Sequence, residues 1–375
     1  MMPRLLSLRR NDGLARPAIA LTALILSLAA PASAQQQRNT ANVVLITLDG
    51  LRWQELFSGA DSVLLRDRRV VRDTAPIRAQ FWRPTARERR TVLMPFFWST
   101  IATQGQLYGN RALDSRVDVT NTHRFSYPGY NEILLGYADP RIDSNDKVPN
   151  PNRTLLEFAN QQPGLQGKVA AFGSWDVFPF IINEQRSGVP VNAGFEPAAG
   201  PDLSATEVFL NRLQTQVPSP WSAVRLDAFT HDYALEYLKR KRPRLLYIAY
   251  GETDDFAHDQ HFDFYLQAAQ RTDGFIRELW EWLQSDGEYR NRTTLVITTD
   301  HGRGTGAKWN THGADVDGAE QIWIAVLGPD SPALGEVSGG QLYQNQIAAT
   351  VASLLGLRYT NERPVGAALP RLFTR

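Results

Sequence analysis

The chain of 375 residues has no cysteine. Disulfides and lipid attachment through a cysteine are therefore excluded, and stability has to come from a buried core and from whatever ions other side chains hold. No charge of one sign dominates either, with 40 Lys and Arg against 39 Asp and Glu. The slight basic excess belongs to residues 1–34, where Arg4, Arg9, Arg10 and Arg16 face only Asp12; the other 341 residues carry 36 basic and 38 acidic side chains, a net −2. Nothing in that balance suggests a nucleic-acid-binding module or a polybasic membrane surface. Long hydrophobic runs are missing too. The apolar run Ala18 to Ala30 spans 13 residues, short of the ~20 needed to cross a bilayer.

That short run follows Arg4, Arg9 and Arg10 and precedes Ala32-Ser33-Ala34 and the polar Gln35-Gln36-Gln37, so residues 1–34 read as a secretory signal peptide. The pair Arg9-Arg10 hints at twin-arginine export, but Asn11-Asp12-Gly13 after it fit poorly. The expectation is a periplasmic or secreted protein with no membrane span in its mature form. Residues 35–375 are expected to fold as a single catalytic domain with an insertion at about 57–93. No internal repeat occurs, and the sequence does not indicate an oligomeric state.

What the chain does have is a set of strand-like apolar runs that end in carboxylates. Val43 to Leu48 ends at Asp49; Arg244 to Tyr250 empties into Gly251-Glu252-Thr253-Asp254-Asp255-Phe256-Ala257-His258; Thr294 to Thr299 stops at Asp300-His301-Gly302. Runs of this kind are buried strands of a parallel sheet. The crevice beyond the carboxyl ends of such strands is where open α/β sheets bind ligands. If the chain turns helical after Tyr250, Asp254 and His258 lie at i and i+4 on one face, with Asp255 as the rival to Asp254. His312 sits eleven residues past His301 in a glycine-rich loop that can fold back on the same site. Carboxylates crowded at one sheet edge repel and lose hydration unless cations sit among them.

Asp49, a hydroxyl residue in mid-chain, Asp254-x3-His258, Asp300-His301-Gly302 and His312-Gly313 together resemble the two-metal site of the alkaline phosphatase superfamily. Within it, the chain is similar to the nucleotide pyrophosphatase/phosphodiesterase and related phosphatase branch. The resemblance spans about residues 42–357. It implies an α/β three-layer sandwich, with a mostly parallel central sheet, helices on both faces and cap insertions. It also implies two divalent ions, zinc foremost with manganese as the alternative. One ion would lie with Asp254, His258 and His312, and the other with Asp49, Asp300 and His301. The nucleophile, Ser126 of Ser126-Tyr127-Pro128, would bridge them from a helix start. The implied activity is hydrolysis of a small phosphate ester through a phosphoserine, as a phosphodiesterase or alternatively a phosphomonoesterase.

Departures from the family patterns narrow the branch. Sulfatases carry C/S-x-P-x-R, whereas Tyr130 stands at the arginine position, so Ser126 reads as unmodified and a sulfatase is disfavoured. Pro128 replaces the arginine that follows the nucleophile in classical alkaline phosphatases. The diesterase branch uses an Asn about twenty residues on to hold a phosphoryl oxygen, which points to Asn145, with Asn150 and Asn152 competing. Tyr127, Arg303 and Lys308 are further candidates for contacting the substrate anion. A metal-binding protein without turnover is disfavoured, because binding alone needs no nucleophile.

The remaining elements are scaffolding. The arginine-rich stretch Leu64 to Arg90 reads as a solvated helical face, with a substrate-attracting lid as the alternative. Helices are expected from Pro95 to Gly105, over Asn131 to Leu135, Thr206 to Leu213, Leu226 to Arg240, Phe262 to Gln284 and Gln341 to Leu357. Lys168 to Phe172 and Gln321 to Pro329 read as strands, and Gly188 to Pro201 as a surface loop. His123 and His231 read as ordinary surface or packing histidines.

Overall fold

In the computed structural model, the described residues are 38–373, so the signal peptide read at residues 1–34 lies outside them. Strands form in the order β1 Asn42–Leu48, β2 Gln106–Tyr108, β3 Arg116–Asp118, β4 Val169–Gly173, β5 Val191–Ala193, β6 Leu245–Tyr250, β7 Thr293–Thr298, β8 Gln321–Ile322, β9 Ile324–Leu327, β10 Gly335–Glu336 and β11 Gln341–Tyr343. Eight make one sheet in the order β10-β2-β9-β7-β1-β6-β4-β5, and β11-β3-β8 make a small second sheet. The three carboxylate-tipped runs are neighbours at the centre. β1 pairs in parallel with β6, Leu48 opposite Tyr250, and with β7, Thr47 opposite Thr298. Their carboxyl ends are therefore level. Among the described strands of the large sheet only β9 runs against its neighbours, antiparallel to both β7 and β2.

Both faces of the sheet are covered, which is why β1, β6 and β7 are buried at every position rather than alternating. Val44, Ile46 and Leu48 of β1 join one core with Tyr233, Leu266 and Leu279, carried by the helices Asp227–Lys241 and Phe262–Ser285. Val43 and Leu45 join the other core with Ile133, Leu156 and Val351, from the helices Ser126–Leu135, Leu155–Asn160 and Ile347–Leu354. This is the expected three-layer sandwich.

Several boundaries differ from the sequence reading, for identifiable reasons. The run Gln321 to Pro329 is two strands in two sheets. Trp323 at the break is buried, and its indole donates to the Leu51 carbonyl at 2.9 Å. The helix expected from Gln341 is preceded by β11, which pairs with β3, and occupies only Ile347–Leu354. The expected surface loop Gly188 to Pro201 contains β5, which extends the sheet edge beside β4. Arg78 and Arg89 of the arginine-rich stretch stack on Trp82, with guanidinium carbons 5.6 and 4.7 Å from the ring.

Candidate active site

The level strand ends deliver the predicted ligands to one place, and hydrogen bonds lock the ends together. The Gly50 amide donates to Asp300 Oδ1 at 3.0 Å, and Thr253 Oγ1 donates to the Asp49 carbonyl at 2.5 Å. After β6 the chain does turn helical, over Glu252–His258. His258 Nε2 lies 3.2 Å from Asp254 Oδ2, as the i, i+4 spacing requires. Asp255, the rival, stays out of the cluster.

His301 is the hub. Its Nε2 lies 3.3 Å from Asp49 Oδ1, 3.4 Å from Asp300 Oδ2 and 3.6 Å from Asp254 Oδ1. Asp49 Oδ1, Asp300 Oδ2 and His301 Nε2 are all buried and have no hydrogen-bond partner. Orphaned buried polar atoms are rare and costly. Three of them converging, two from carboxylates and one from an imidazole, fit a divalent cation. Asp254, His301 and His312 form a second group whose donor atoms lie within 4.8 Å of one another, and His258 Nε2 lies 2.9 Å from His312 Nε2. The rings are aimed from behind. His301 Nδ1 is 2.9 Å from the Gly302 carbonyl and His312 Nδ1 is 3.3 Å from the Arg124 carbonyl. Since a carbonyl only accepts, each Nδ1 carries a proton and each Nε2 faces the cluster.

The electrostatics agree with a cation-binding set. Burial, with Asp49 next to it, pushes the Asp300 carboxyl well above the usual carboxylate range. Burial alone would lower His301, but Asp300 and Asp49 outweigh it and raise the imidazole to about 9. Burial together with the neighbouring His301 and Arg303 drives His312 far down, which keeps it in the neutral form a metal needs.

Ser126 is the first residue of the helix Ser126–Leu135, so the helix starts earlier than the expected Asn131. The loop that leads into it is held by Glu132 of the same helix, whose carboxylate accepts from Thr120 N, Asn121 N and Asn121 Nδ2 at 2.8–2.9 Å. Gly129 lets the helix touch the end of β7: a Cβ there would lie 2.4 Å from the Asp300 carbonyl oxygen. A cavity of about 350 Å³ opens over this junction. Ser126, Asn145, Asp49, Asp254, Asp255, His258 and His312 line it, with Trp175 and Val224 as an apolar wall. A second cavity, under the loop 198–203, contains none of these residues.

The substrate-contact expectations divide. Asn145 is in the cavity, its Oδ1 accepting from Tyr127 N at 3.0 Å, which leaves its Nδ2 hydrogens for a ligand. Asn150 and Asn152 are committed elsewhere, to Asn131 and to Asp139. Arg303 does not reach the cavity: it is 1% exposed and bonds to Gly50, Asp254 and Asn310. Its place behind the ligands corrects the substrate-contact reading. Lys308 is corrected as well, since it ends an exposed 3-10 turn, Gly306–Lys308, outside the cavity lining. The Tyr127 hydroxyl is turned away, donating to the Val148 carbonyl at 2.8 Å. His231 is a packing histidine, stacked on Phe275. Sequence reasoning missed Tyr130, whose hydroxyl donates to Asp49 Oδ2 at 2.7 Å. The signal was present, because Tyr130 follows Ser126 by one helical turn and so shares its face.

The fold has known counterparts. Across 90% of this chain and 99% of the other, it superposes on the wild-type alkaline phosphatase PafA with a TM-score of 0.62 and 10% identity. A 2-O GAG sulfatase matches with a TM-score of 0.56 and 13% identity over 89% of this chain and 74% of its own. The phosphonate monoester hydrolase SpPMH from Silicibacter pomeroyi matches at 0.52 and 15% over 88% and 76%. No curated protein matches the chain in sequence. These likenesses show the fold of the alkaline phosphatase superfamily. Within it, the family model for type I phosphodiesterase / nucleotide pyrophosphatase matches residues 141–321, the span that holds Asn145, Asp254, His258, Asp300, His301 and His312. The resemblance read from the sequence is borne out.

Proposed function

We propose that the protein is an exported two-metal phosphodiesterase that acts through Ser126. The observation that carries the reading is a serine at a helix N-terminus opening into the same cavity as Asp49, Asp254, His258 and His312. Two divalent ions, zinc before manganese, would be held by Asp49, Asp300 and His301 and by Asp254, His258 and His312; they would supply charge neutralisation and a lowered pKa for the serine hydroxyl.

The chain's own groups then account for the rest. Ser126 Oγ attacks phosphorus in line and displaces the leaving alcohol, and water hydrolyses the resulting phosphoserine. The dipole of the helix Ser126–Leu135 favours negative charge at Oγ, although Tyr127 N is spent on Asn145 and Pro128 has no N–H to offer. Asn145 Nδ2 donates to a non-bridging oxygen. Trp175 and Val224 meet the organic part of the ester and keep water off that side.

The lining also favours a diester. No Lys or Arg is among the residues that line the cavity, and Asp255 faces it. A phosphodiester brings one negative charge and a phosphomonoester about two, so the monoester is the worse fit to a site with no fixed side-chain cation. A phosphomonoesterase of the same fold is the alternative. A sulfatase is less favoured because Tyr130, at the position of the sulfatase arginine, is spent on Asp49. Rates on bis-nitrophenyl phosphate, nitrophenyl phosphate and nitrophenyl sulfate decide among the three. The proposal requires the diester to be turned over fastest, and a faster monoester or sulfate ester would replace it.

A further inference from the structure

We propose that Arg303 is a positioning residue that holds the metal-binding segments in register and does not touch the substrate. The inference rests on the two-metal reading above and deepens it, assigning the alignment of ligands from separate segments to one side chain.

Arg303 follows His301 by two residues, and its guanidinium reaches every other segment that supplies an Asp or His ligand. Nε donates to the Gly50 carbonyl at 3.2 Å, next to Asp49. Nη1 donates to the Asn310 carbonyl at 2.7 Å, two residues before His312. Nη2 donates to the Asp254 carbonyl at 3.2 Å and to Asp254 Oδ1. One rigid fork thus spans the strand ends of β1, β6 and β7 and the loop to His312. A lysine has no such set of fixed donor directions. Holding Asp254 by Oδ1 leaves Oδ2 on the His258 side, 3.2 Å from Nε2.

The surroundings are shaped for this contact. Gly50 sits at φ +57°, and a Cβ there would lie 2.7 Å from Arg303 Nε and 2.9 Å from both Arg303 Nη2 and Asp254 Oδ1. A second buried arginine makes the reverse bond: Arg52 Nη1 donates to the Gly304 carbonyl at 3.0 Å, so the two post-strand segments are laced in both directions. Arg52 is fixed in turn by Glu55, Nε to Oε2 at 2.7 Å. Four of the five Arg303 donors are occupied by protein, which leaves little for an anion.

The test uses the full mature protein and the variants Arg303→Lys, Arg303→Met and Gly50→Ala. Zinc stoichiometry and affinity are measured by competition with a chromophoric chelator, and KM and kcat on bis-nitrophenyl phosphate at saturating zinc. The expected result is zinc binding weakened about 10- to 100-fold in Arg303→Lys and Gly50→Ala, with KM at saturating zinc within about twofold of wild type. Arg303→Met removes a buried charge partner and can fail to fold; the other two variants, checked by circular dichroism, carry the test in that event. Folded variants with wild-type zinc affinity, or a raised KM with unchanged zinc affinity, would overturn the proposal. Wild-type protein that binds no zinc would instead contradict the two-metal reading itself.

Discussion

The hydroxyl of Tyr130 donates to Asp49 Oδ2 across 2.7 Å, so the helix that begins with Ser126 also orients the carboxylate at the end of β1. Ser126, the proposed nucleophile, and Asp49, a proposed ligand, are thereby held by one rigid element. Asp49 is left with Oδ1 alone, unpaired, turned towards His301.

Tyr130→Phe removes that bond and leaves Asp49 Oδ2 buried without a partner. The expected cost is about 1–3 kcal/mol of stability and roughly tenfold weaker zinc binding. Urea unfolding and chelator competition measure the two. An unchanged zinc affinity would show that Asp49 needs no help from Tyr130.

Ser126→Ala should abolish turnover of bis-nitrophenyl phosphate while the metal content, by elemental analysis, stays largely intact, because the Asp and His donors remain. Retained turnover would mean that another group attacks phosphorus.

Asn145→Ala deletes the proposed donor to the phosphoryl oxygen without touching the cluster. Loss of one such donor lowers kcat by about 10²–10³, and a comparable drop in kcat/KM is expected on the diester. A variant as active as wild type would remove Asn145 from the site.

Asp273 lies away from the cavity, its carboxylate accepting from Phe96 N at 2.7 Å and Phe97 N at 2.8 Å. Burial raises its pKa from 3.8 to about 7. The folded state therefore holds a proton there that the unfolded chain has released, and stability falls as pH rises through that window. Relative to Asp273→Asn, wild type should lose stability from about pH 4 to about pH 7. A pH-independent difference in urea unfolding would mean that the carboxyl titrates normally.

The candidate ligands Asp49, Asp254, His258, Asp300 and His301 were legible in the sequence because each is tied to a regular element, whereas His312 sits in a loop. Asp49 and Asp300 follow strands buried at every position, and Asp254 and His258 are fixed by the pitch of one helical turn. What was not legible depends on loops. Asn145, Asn150 and Asn152 look alike in sequence, and only the fold of residues 141–152 puts one in the cavity and two in hydrogen-bond networks beneath. Arg303 read as a substrate contact because its charge and its place after His301 were visible, whereas the carbonyls of Gly50, Asp254 and Asn310 that absorb that charge come from three distant segments. The split at Trp323 was hidden for a related reason. Apolar residues run through it, and only pairing with β3 on one side and β7 on the other separates β8 from β9.

The central claim is that the Asp and His cluster works as a two-metal centre beside Ser126. Its most direct test is to strip the protein with chelator and titrate zinc back, following hydrolysis of bis-nitrophenyl phosphate. The account predicts no activity without metal and a rise that reaches its plateau near two equivalents. Full activity in the stripped protein, or a plateau at one equivalent, would contradict it.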